Sequence, residues 1–116
     1  MRLEDEAQIA LFEYLKLYEG RCPELALLYH IPNEGKRSPA EGAKLKRMGV
    51  KSGVPDLHMP VARGQYHGLY IELKVDNRKP TQNQLKWQKL LREQGYKSEI
   101  CWEWPSAAKV ILDYLK

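Results

Sequence analysis

The strand predicted for residues 66–75 carries apolar side chains on one face and charged side chains on the other. Alternation places Ile71 and Leu73 on the first face and directs Glu72 and Lys74 to the second, about 7 Å apart along the strand. Charged groups inside a strand are costly unless something uses them. The segment therefore predicts a sheet that is buried on one side and carries a functional pair of charges on the other.

A preceding strand, predicted for residues 54–62, brings another carboxylate to this pair. If the hairpin is centred on Gly64, Asp56 lies directly opposite Glu72, and directly opposite residues share a face. Two such carboxylates repel by about 4 kcal/mol at about 4 Å and an effective dielectric constant of about 20. A divalent cation would relieve this repulsion, and oxygen ligands favour Mg²⁺ or Mn²⁺ over zinc. Asp56 and Glu72 are therefore predicted to bind Mg²⁺ or Mn²⁺.

A cation held beside Lys74 would be suited to the hydrolysis of a phosphodiester bond. The metal would polarise the phosphate and lower the pKa of a water molecule, while Lys74 would orient that water and stabilise the developing negative charge. The alternative is a surface hairpin in which Glu72 and Lys74 form an ordinary ladder and Asp56 belongs to a turn. Each motif alone is common, but the two together at matching strand parity favour a catalytic site.

Helical and strand-like periodicities follow one another along the whole chain. The predicted elements are helix 3–18, strand 25–31, a helix from Ser38 to about Gly49, strands 54–62 and 66–75, a helix from Pro80-Thr81 to about Gln94, strand 97–102 and a last helix from Pro105. This α-β-α-β-β-α-β-α order predicts an α/β fold with a central mixed sheet flanked by helices. The sheet is mixed because the hairpin is antiparallel and the later strand–helix–strand unit is a parallel crossover.

Composition and charge fit a single domain over residues 1–116. Apolar residues make up 43% and charged residues 29% of the chain, and no apolar run approaches the ~20 residues of a membrane span. The acidic start, Glu4-Asp5-Glu6, excludes an ordinary signal peptide, so a cytoplasmic protein without membrane partners is expected. Cys22 and Cys101 form no C-x-x-C pair and are expected to be reduced, buried thiols.

Residues 36–51 are rich in bases and contain a single acid, Glu41. Such a cluster is a candidate surface for the phosphates of a nucleic acid. The alternative is a solvated, lysine-rich face that binds nothing. The bases expected to contact phosphates are Lys44, Lys46, Arg47 and Lys51.

The motifs Gly53-Val54-Pro55-Asp56-Leu57 and Ile71-Glu72-Leu73-Lys74 together resemble those of the PD-(D/E)xK nuclease superfamily. Within it, the chain is similar over nearly its whole length to the VRR-NUC (virus-type replication-repair nuclease) family. The other matching segments are Glu6-Ala7-Gln8 and Tyr14-Leu15 in the first helix, His30-Ile31-Pro32-Asn33 after the first strand, and Thr81-Gln82-Asn83-Gln84, Trp87 and Gly95-Tyr96 around the long helix. The chain departs from the family at Glu103-Trp104-Pro105, where members often carry a glycine near the start of the last helix.

The resemblance implies a restriction-endonuclease-like core and a stand-alone DNA endonuclease that depends on Mg²⁺ or Mn²⁺ and forms no covalent intermediate. It also implies that the backbone carbonyl of Leu73 is a further metal ligand. It makes Glu6 the catalytic acid of the first helix and Gln84 an active-site glutamine. Glu6 could instead be a solvated acid favoured by the helix dipole. Gln84 could instead form a capping box with Thr81, and both of its roles could hold together.

Stand-alone members resemble junction-resolving enzymes, so a homodimer that acts on branched DNA, such as four-way junctions, is expected. Trp102 and Trp104 are expected to share one face, either under the last helix or at a partner interface. His30 and Asn33 could lie near the site or serve structural roles, and Trp87 is expected in the core. The alternative function is a non-catalytic module that binds nucleic acid or a partner protein and retains the nuclease fold.

Overall fold

Four short strands form the sheet at the centre of the fold among the described residues. The structure is a computed structural model and describes residues 3–33 and 38–116. The strands are β1 (Tyr29–His30), β2 (Leu57–Met59), β3 (Leu69–Lys74) and β4 (Lys97–Trp102). The helices are α1 (Leu3–Lys16), α2 (Pro39–Arg47), α3 (Gln82–Glu93) and α4 (Trp104–Tyr114), with a 3₁₀ helix at Pro23–Leu27. Lys36 and Arg37, which belong to the predicted basic segment, lie outside the described residues.

The strands lie in the order β1-β2-β3-β4 and form a mixed sheet. β2 is antiparallel to both β1 and β3, whereas β3 and β4 are parallel and are joined through α3. The predicted α/β class and order of elements are therefore confirmed. The strand predicted over residues 25–31 is wrong in its first part. Pro23 begins a 3₁₀ turn there, and a short apolar run alone does not distinguish a strand from a helical turn.

The β2–β3 hairpin has the predicted register, with Leu57 opposite Ile71. Its turn, however, is not centred on Gly64, because Arg63 pairs with Tyr66. These two pairings differ in register by one residue, and the extra residue lies between β2 and the turn. An antiparallel hairpin accommodates one such inserted residue as a local irregularity. The strands therefore meet as predicted, although the turn that joins them differs from the predicted one.

One face of the sheet carries the hydrophobic core. Its most completely buried side chains are Leu11, Leu57, Met59, Leu69, Ile71 and Ile111. They join β2 and β3 to α1 and α4, which pack against each other and against this face. Because full burial of such a side chain contributes about 1.5–3 kcal/mol, this layer holds β3 in place and leaves its opposite face for other residues.

The opposite face of β3 carries Tyr70, Glu72 and Lys74, as the alternation predicts. Helix α3 lies on this side, because Gln84 in its first turn donates a hydrogen bond to Glu72. Thr81 accepts the N–H of Gln84, and Gln84 accepts the N–H of Thr81, which confirms the predicted capping box. The capping box therefore fixes the first turn of α3 beside the end of β3.

Trp102 and Trp104 do not share a face, so that prediction is wrong. Trp102 ends β4 and pairs with Lys74 in the sheet, and it therefore shares the face of Lys74. Trp104 begins α4 and packs against Tyr14 of α1, with the ring centroids 5.3 Å apart. The strand alternation stops between the two tryptophans because Glu103 adopts a left-handed backbone conformation, with φ of 67°.

Among the described residues, no helix is long and apolar enough to cross a membrane. Cys22 and Cys101 are free thiols, as predicted; Cys101 is buried and Cys22 partly buried. Burial raises the pKa of the Cys101 thiol to about 11. This thiol therefore stays protonated at neutral pH and is a poor nucleophile.

Gly53 lies against the start of α3 with φ of 90°, and a Cβ there would lie 2.6 Å from the carbonyl carbon of Asn83. We expect Gly53→Ala to lower the free energy of unfolding by about 2 kcal/mol or more, because the backbone conformation and the contact both oppose a side chain. The control is Gly42→Ala, since nothing lies within 4 Å of a Cβ there. Alanine in a helix interior stabilises by about 0.5–1 kcal/mol relative to glycine. Urea unfolding measures both variants, and equal stabilities would contradict the close approach.

Candidate active site

A cleft of about 1120 Å³ opens where the end of β3 meets the first turn of α3. Its walls also include the start of α1, part of α2 and residues 50–54. The predicted site residues that line it are Asp56, Glu72, Leu73, Lys74 and Gln84. The fold therefore brings two separate sequence motifs and a helix start together around one cleft.

Asp56 lies one residue before β2, beside the end of β3. Its Oδ2 accepts a hydrogen bond of 2.8 Å from the backbone N–H of Leu73. Its own carbonyl accepts a hydrogen bond of 2.7 Å from the N–H of Ile31, and Nδ1 of His30 lies 3.1 Å from the same carbonyl oxygen. These contacts fix the Asp56 carboxylate next to the strand that carries Glu72, and they give His30 a place behind the site.

Glu72 is a buried carboxyl group, with only 7% of the residue exposed. Burial is the main cause that raises the pKa of Glu72 to about 8; the nearby Asp56 carboxylate adds to the rise, and Lys74 opposes it. Its Oε1 is buried and has no hydrogen-bond partner in the part of the chain that the structure describes. Because an unpartnered buried oxygen is costly, this atom favours a proton or a cation beside it.

The other oxygen of Glu72, Oε2, has two partners. Nε2 of Gln84 donates a hydrogen bond of 3.1 Å to it, and Nζ of Lys74 lies 3.7 Å away. Gln84 also accepts the N–H of Thr81 through its Oε1, at 2.9 Å. The side chain of Gln84 therefore both caps α3 and contacts Glu72. Its catalytic role stays a prediction.

The structure does not bring Glu6 to the cleft. Its side chain is exposed, and the residues of α1 that line the cleft are Glu4, Asp5 and Gln8. Successive residues of a helix are rotated by about 100°, so Glu6 points roughly opposite to Glu4 and Gln8. Only the resemblance to the family selected Glu6, and the packing of α1 decides which acid faces the cleft. The position is therefore corrected: α1 presents Glu4, not Glu6, to the site.

The predicted phosphate-binding bases are divided by the structure. Lys46 and Lys51 line the cleft, whereas Lys44 and Arg47 are exposed and lie outside it. Lys44, Lys46 and Arg47 diverge because successive residues of α2 point in different directions around its axis, while Lys51 lies beyond the end of the helix. Only Lys46 and Lys51 are therefore placed to meet a phosphate that lies in the cleft.

Further residues of the cleft were not singled out by the sequence. Arg78, in the loop after β3, and Lys86, on α3, also line it. Their only signal in the sequence was the high content of bases over residues 74–97, which does not indicate which of these bases face a common cleft.

Asn33 reaches the edge of the cleft, where its Nδ2 donates a hydrogen bond of 2.6 Å to the Lys51 carbonyl.

Trp87 does not belong to the core cluster, so its predicted place in the core is wrong. Its side chain is partly buried and forms part of the cleft wall. The amphipathic pattern of α3 correctly marks one apolar face, but that face turns partly toward the cleft. Periodicity alone gives the face of a helix and not what the face meets.

The atoms that could hold a metal ion are the carboxylate oxygens of Asp56 and Glu72 and the carbonyl oxygen of Leu73. Within residues 3–33 and 38–116, no three His, Cys, Asp or Glu side chains form a metal-binding group. Oxygen donors of this kind nevertheless suit Mg²⁺, which commonly keeps several waters beside one or two carboxylates. The unpartnered Oε1 of Glu72 fits a divalent cation, because a positive charge would satisfy that oxygen and offset the repulsion from Asp56.

The profile of the VRR-NUC domain matches residues 4–102, from α1 to the end of β4. The chain belongs to the VRR-NUC family. A solved structure described as a VRR-NUC domain protein is 36% identical to it; the match covers 99% of this chain and 89% of the other, with a TM-score of 0.84. Another, described as a VRR-NUC domain, is 24% identical over 96% of each chain, with a TM-score of 0.53, and supports the fold alone. No curated protein matches the chain significantly.

The VRR-NUC family is a family of nucleases. The motifs around Asp56 and Glu72 meet in one cleft, so that cleft is the candidate active site of a VRR-NUC nuclease domain. Glu103, where the chain departs from the pattern that the resemblance gives, has φ of 67°. Glycine adopts such a conformation without strain, so the backbone favours glycine at this position although the chain carries glutamate.

The raised pKa of Glu72 predicts a dependence of stability on pH. Between its ordinary pKa of 4.5 and the folded pKa of about 8, folded Glu72 holds a proton that the unfolded chain gives up. Stability contributed by this group is therefore present at low pH and is lost as pH rises toward 8. We expect Glu72→Gln, in EDTA at pH 8, to raise the melting temperature by about 5 °C or more, a change that corresponds to about 1 kcal/mol.

Thermal unfolding from pH 5 to pH 8 measures this effect, and the advantage of Glu72→Gln should shrink at pH 5. The control is Glu99→Gln, because Glu99 is partly exposed and forms ion pairs with Arg92 and Lys97 away from the cleft. A Glu72→Gln variant with the same pH dependence as the wild-type protein would show that burial does not shift this carboxyl group.

Proposed function

We propose that this VRR-NUC domain is a DNA endonuclease that hydrolyses phosphodiester bonds with Mg²⁺ or Mn²⁺. The proposal is carried by one observation: a buried, unpartnered oxygen of Glu72 lies beside the Asp56 carboxylate, in a cleft that also contains Lys74. A bound cation would supply positive charge to the phosphate and make a water molecule a better nucleophile at neutral pH.

Asp56, Glu72 and the carbonyl of Leu73 are the proposed metal ligands. The N–H of Leu73 holds Asp56, and Gln84 holds Glu72, so both carboxylates are oriented by the protein itself. Gln84 is in turn fixed by its capping contact with Thr81, which makes it a positioning residue. Preoriented ligands lose little conformational freedom on binding, which supports a cation site with few protein ligands.

Lys74 is the proposed electrostatic catalyst. Only 12% of its side chain is exposed, and its Nζ lies 3.7 Å from Glu72 Oε2. Little water screens a charge in such surroundings, so Lys74 can orient the attacking water and stabilise negative charge that develops on the phosphate. The water attacks the phosphate directly, and no side chain is required as a covalent nucleophile.

The bases around the cleft suit the backbone of DNA. Lys46 and Lys51 would bind phosphates at the cleft itself. Lys44 and Arg47 would meet phosphates further out, along the exposed sides of α2. Phosphate contacts of this kind orient the substrate and carry no information on base sequence.

We expect Asp56→Asn to reduce Mg²⁺-dependent nicking of DNA by more than about 100-fold, because it removes the charge of a proposed ligand without changing its size. DNA binding in EDTA should persist or become tighter, since negative charge near phosphate is lost. The matched control is Glu99→Gln; Glu99 pairs with Ile71 in the sheet and therefore faces away from the cleft. An Asp56→Asn variant that nicks at the wild-type rate would contradict the assignment, and a wild-type protein that binds but never nicks would indicate a non-catalytic module.

Lys74 gives the complementary variant of the same experiment. Lys74→Ala should lose nicking and retain metal binding, because the ammonium group is proposed to act on water and phosphate. Lys74→Arg should restore little activity, since a planar guanidinium does not replace a compact ammonium. If Lys74→Ala loses metal affinity as severely as Asp56→Asn, Lys74 supports the structure of the site instead.

We further propose that two copies act together on branched DNA. The described part of one chain contains one such cleft, whereas a four-way junction presents two scissile strands related by approximate two-fold symmetry. Two-fold dimers are the commonest oligomers and would place two sites accordingly. Trp102, which is 42% exposed, could contribute an apolar centre to the contact; Trp104 is engaged by Tyr14.

Light scattering at micromolar concentration should give twice the 13.5 kDa of one chain, with or without junction DNA. Under the same conditions the protein should nick a four-way junction faster than a plain duplex of the same sequence. A monomer bound to the junction, or equal rates on both substrates, would contradict the proposal. A dimer whose two clefts face opposite directions would contradict paired cleavage.

A further inference from the structure

Arg78 lies in the loop after β3 and lines the same cleft as Glu72 and Lys74. Its guanidinium forms an ion pair with Glu4 of α1, and the exposed fractions of the two side chains are 54% and 31%. Ion pairs exposed to this degree contribute little stability. Phosphate suits arginine as well as a carboxylate does, because the planar guanidinium can donate two parallel hydrogen bonds to two phosphate oxygens. The ion pair with Glu4 is therefore one that DNA can replace.

The loop that carries Arg78 is tied to the end of β4 by hydrogen bonds. The indole Nε1 of Trp102 donates to the Arg78 carbonyl at 2.8 Å. The backbone N–H of Asp76 donates to Oε2 of Glu103, also at 2.8 Å. The N–H of Glu103 donates to the carbonyl of Lys74, again at 2.8 Å. These bonds begin at Lys74 and end at Arg78, so they set the path of the chain between these two cations.

Two residues of this arrangement have strained backbones. Asp76 and Glu103 are the described non-glycine residues with positive φ, at 55° and 67°, and they are hydrogen-bonded to each other. Left-handed conformations of such residues persist only where their surroundings enforce them, and they gather at functional sites. The strain therefore indicates that the position of Arg78 is specified by the fold and is not an accident of a surface loop.

We propose that Arg78 binds a backbone phosphate of the DNA in the cleft, and that Trp102 and Glu103 are positioning residues that hold it there. Without DNA, the guanidinium of Arg78 forms an ion pair with Glu4. With DNA, a backbone phosphate replaces the Glu4 carboxylate as its partner. The inference rests on the proposed function, because it requires DNA in this cleft. It explains why an indole N–H and a glutamate with positive φ, neither of them a proposed metal ligand, both contact one loop.

The test is the binding of a fluorescein-labelled four-way junction in EDTA, measured by fluorescence anisotropy at several salt concentrations. Arg78→Ala should weaken binding about tenfold and reduce the slope of log K against log salt by about one. Arg78→Lys should keep the slope and recover only part of the affinity. The control is Lys109→Ala on α4, whose ammonium pairs with Asp113 and does not line the cleft.

The positioning role is tested by Trp102→Phe, which keeps an aromatic ring and removes the indole N–H, and by Glu103→Gly, which removes the carboxylate and suits the left-handed backbone. Each should weaken binding about threefold, as expected for the loss of one hydrogen bond. Thermal unfolding should show little change for Trp102→Phe, and in Glu103→Gly the relief of backbone strain should offset the lost hydrogen bond. Combined with Arg78→Ala, neither should weaken binding further, because a positioning residue acts only through the group that it positions.

Unchanged affinity and salt slope in Arg78→Ala would overturn the assignment of Arg78. If the wild-type protein cuts DNA and Asp56→Asn does not, the proposed function would survive that result. A wild-type protein that does not bind DNA would overturn both. A full additional loss when Trp102→Phe is combined with Arg78→Ala would overturn the positioning role of Trp102.

Discussion

The carboxyl groups of Asp56 and Glu72 lie side by side at the end of β3, and burial removes most of the water from one of them. Two negative charges in such a place are unfavourable, and the fold offers two partial remedies: Glu72 retains a proton to a pKa of about 8, and Lys74 and Gln84 contact one of its oxygens. The other oxygen, Oε1, has no partner in the described structure. A bound cation would offset the repulsion between the two carboxylates and give Oε1 a partner, and the rest of the site keeps the two carboxylates in place for it.

The surrounding fold maintains this arrangement from several directions. The core side chains on the opposite face of β3 fix the strand, while the N–H of Leu73 fixes Asp56. The capping box at Thr81 fixes Gln84. Holding the two carboxylates together costs stability, because they repel each other and one of them is buried. A site of this kind therefore trades stability for function, as natural active sites commonly do.

Patterns with a fixed period, together with the capping box, predicted much of the fold and of the site from the sequence. Strand alternation gave the face of Glu72, the hairpin register paired Leu57 with Ile71, and the Thr81 capping box marked the start of α3. The predictions failed where tertiary packing determines which way a side chain points. The resemblance to the family selected Glu6, whereas the packing of α1 presents Glu4 to the cleft. The left-handed Glu103, which separates Trp102 from Trp104, has no sequence signal of its own because glycine is the residue expected there.

Calorimetric titration with Mn²⁺ at pH 7, in buffers of different ionisation enthalpy, tests the central claim most directly, because it counts the protons released as the ion binds. With a pKa of about 8, Glu72 is mostly protonated at pH 7 and must ionise to act as a ligand. We expect release of close to one proton per Mn²⁺ from the wild-type protein. Glu72→Gln should bind far more weakly and release none. Binding by the wild-type protein without proton release, or equal affinity in Glu72→Gln, would contradict the claim that a cation resolves the repulsion between Asp56 and Glu72.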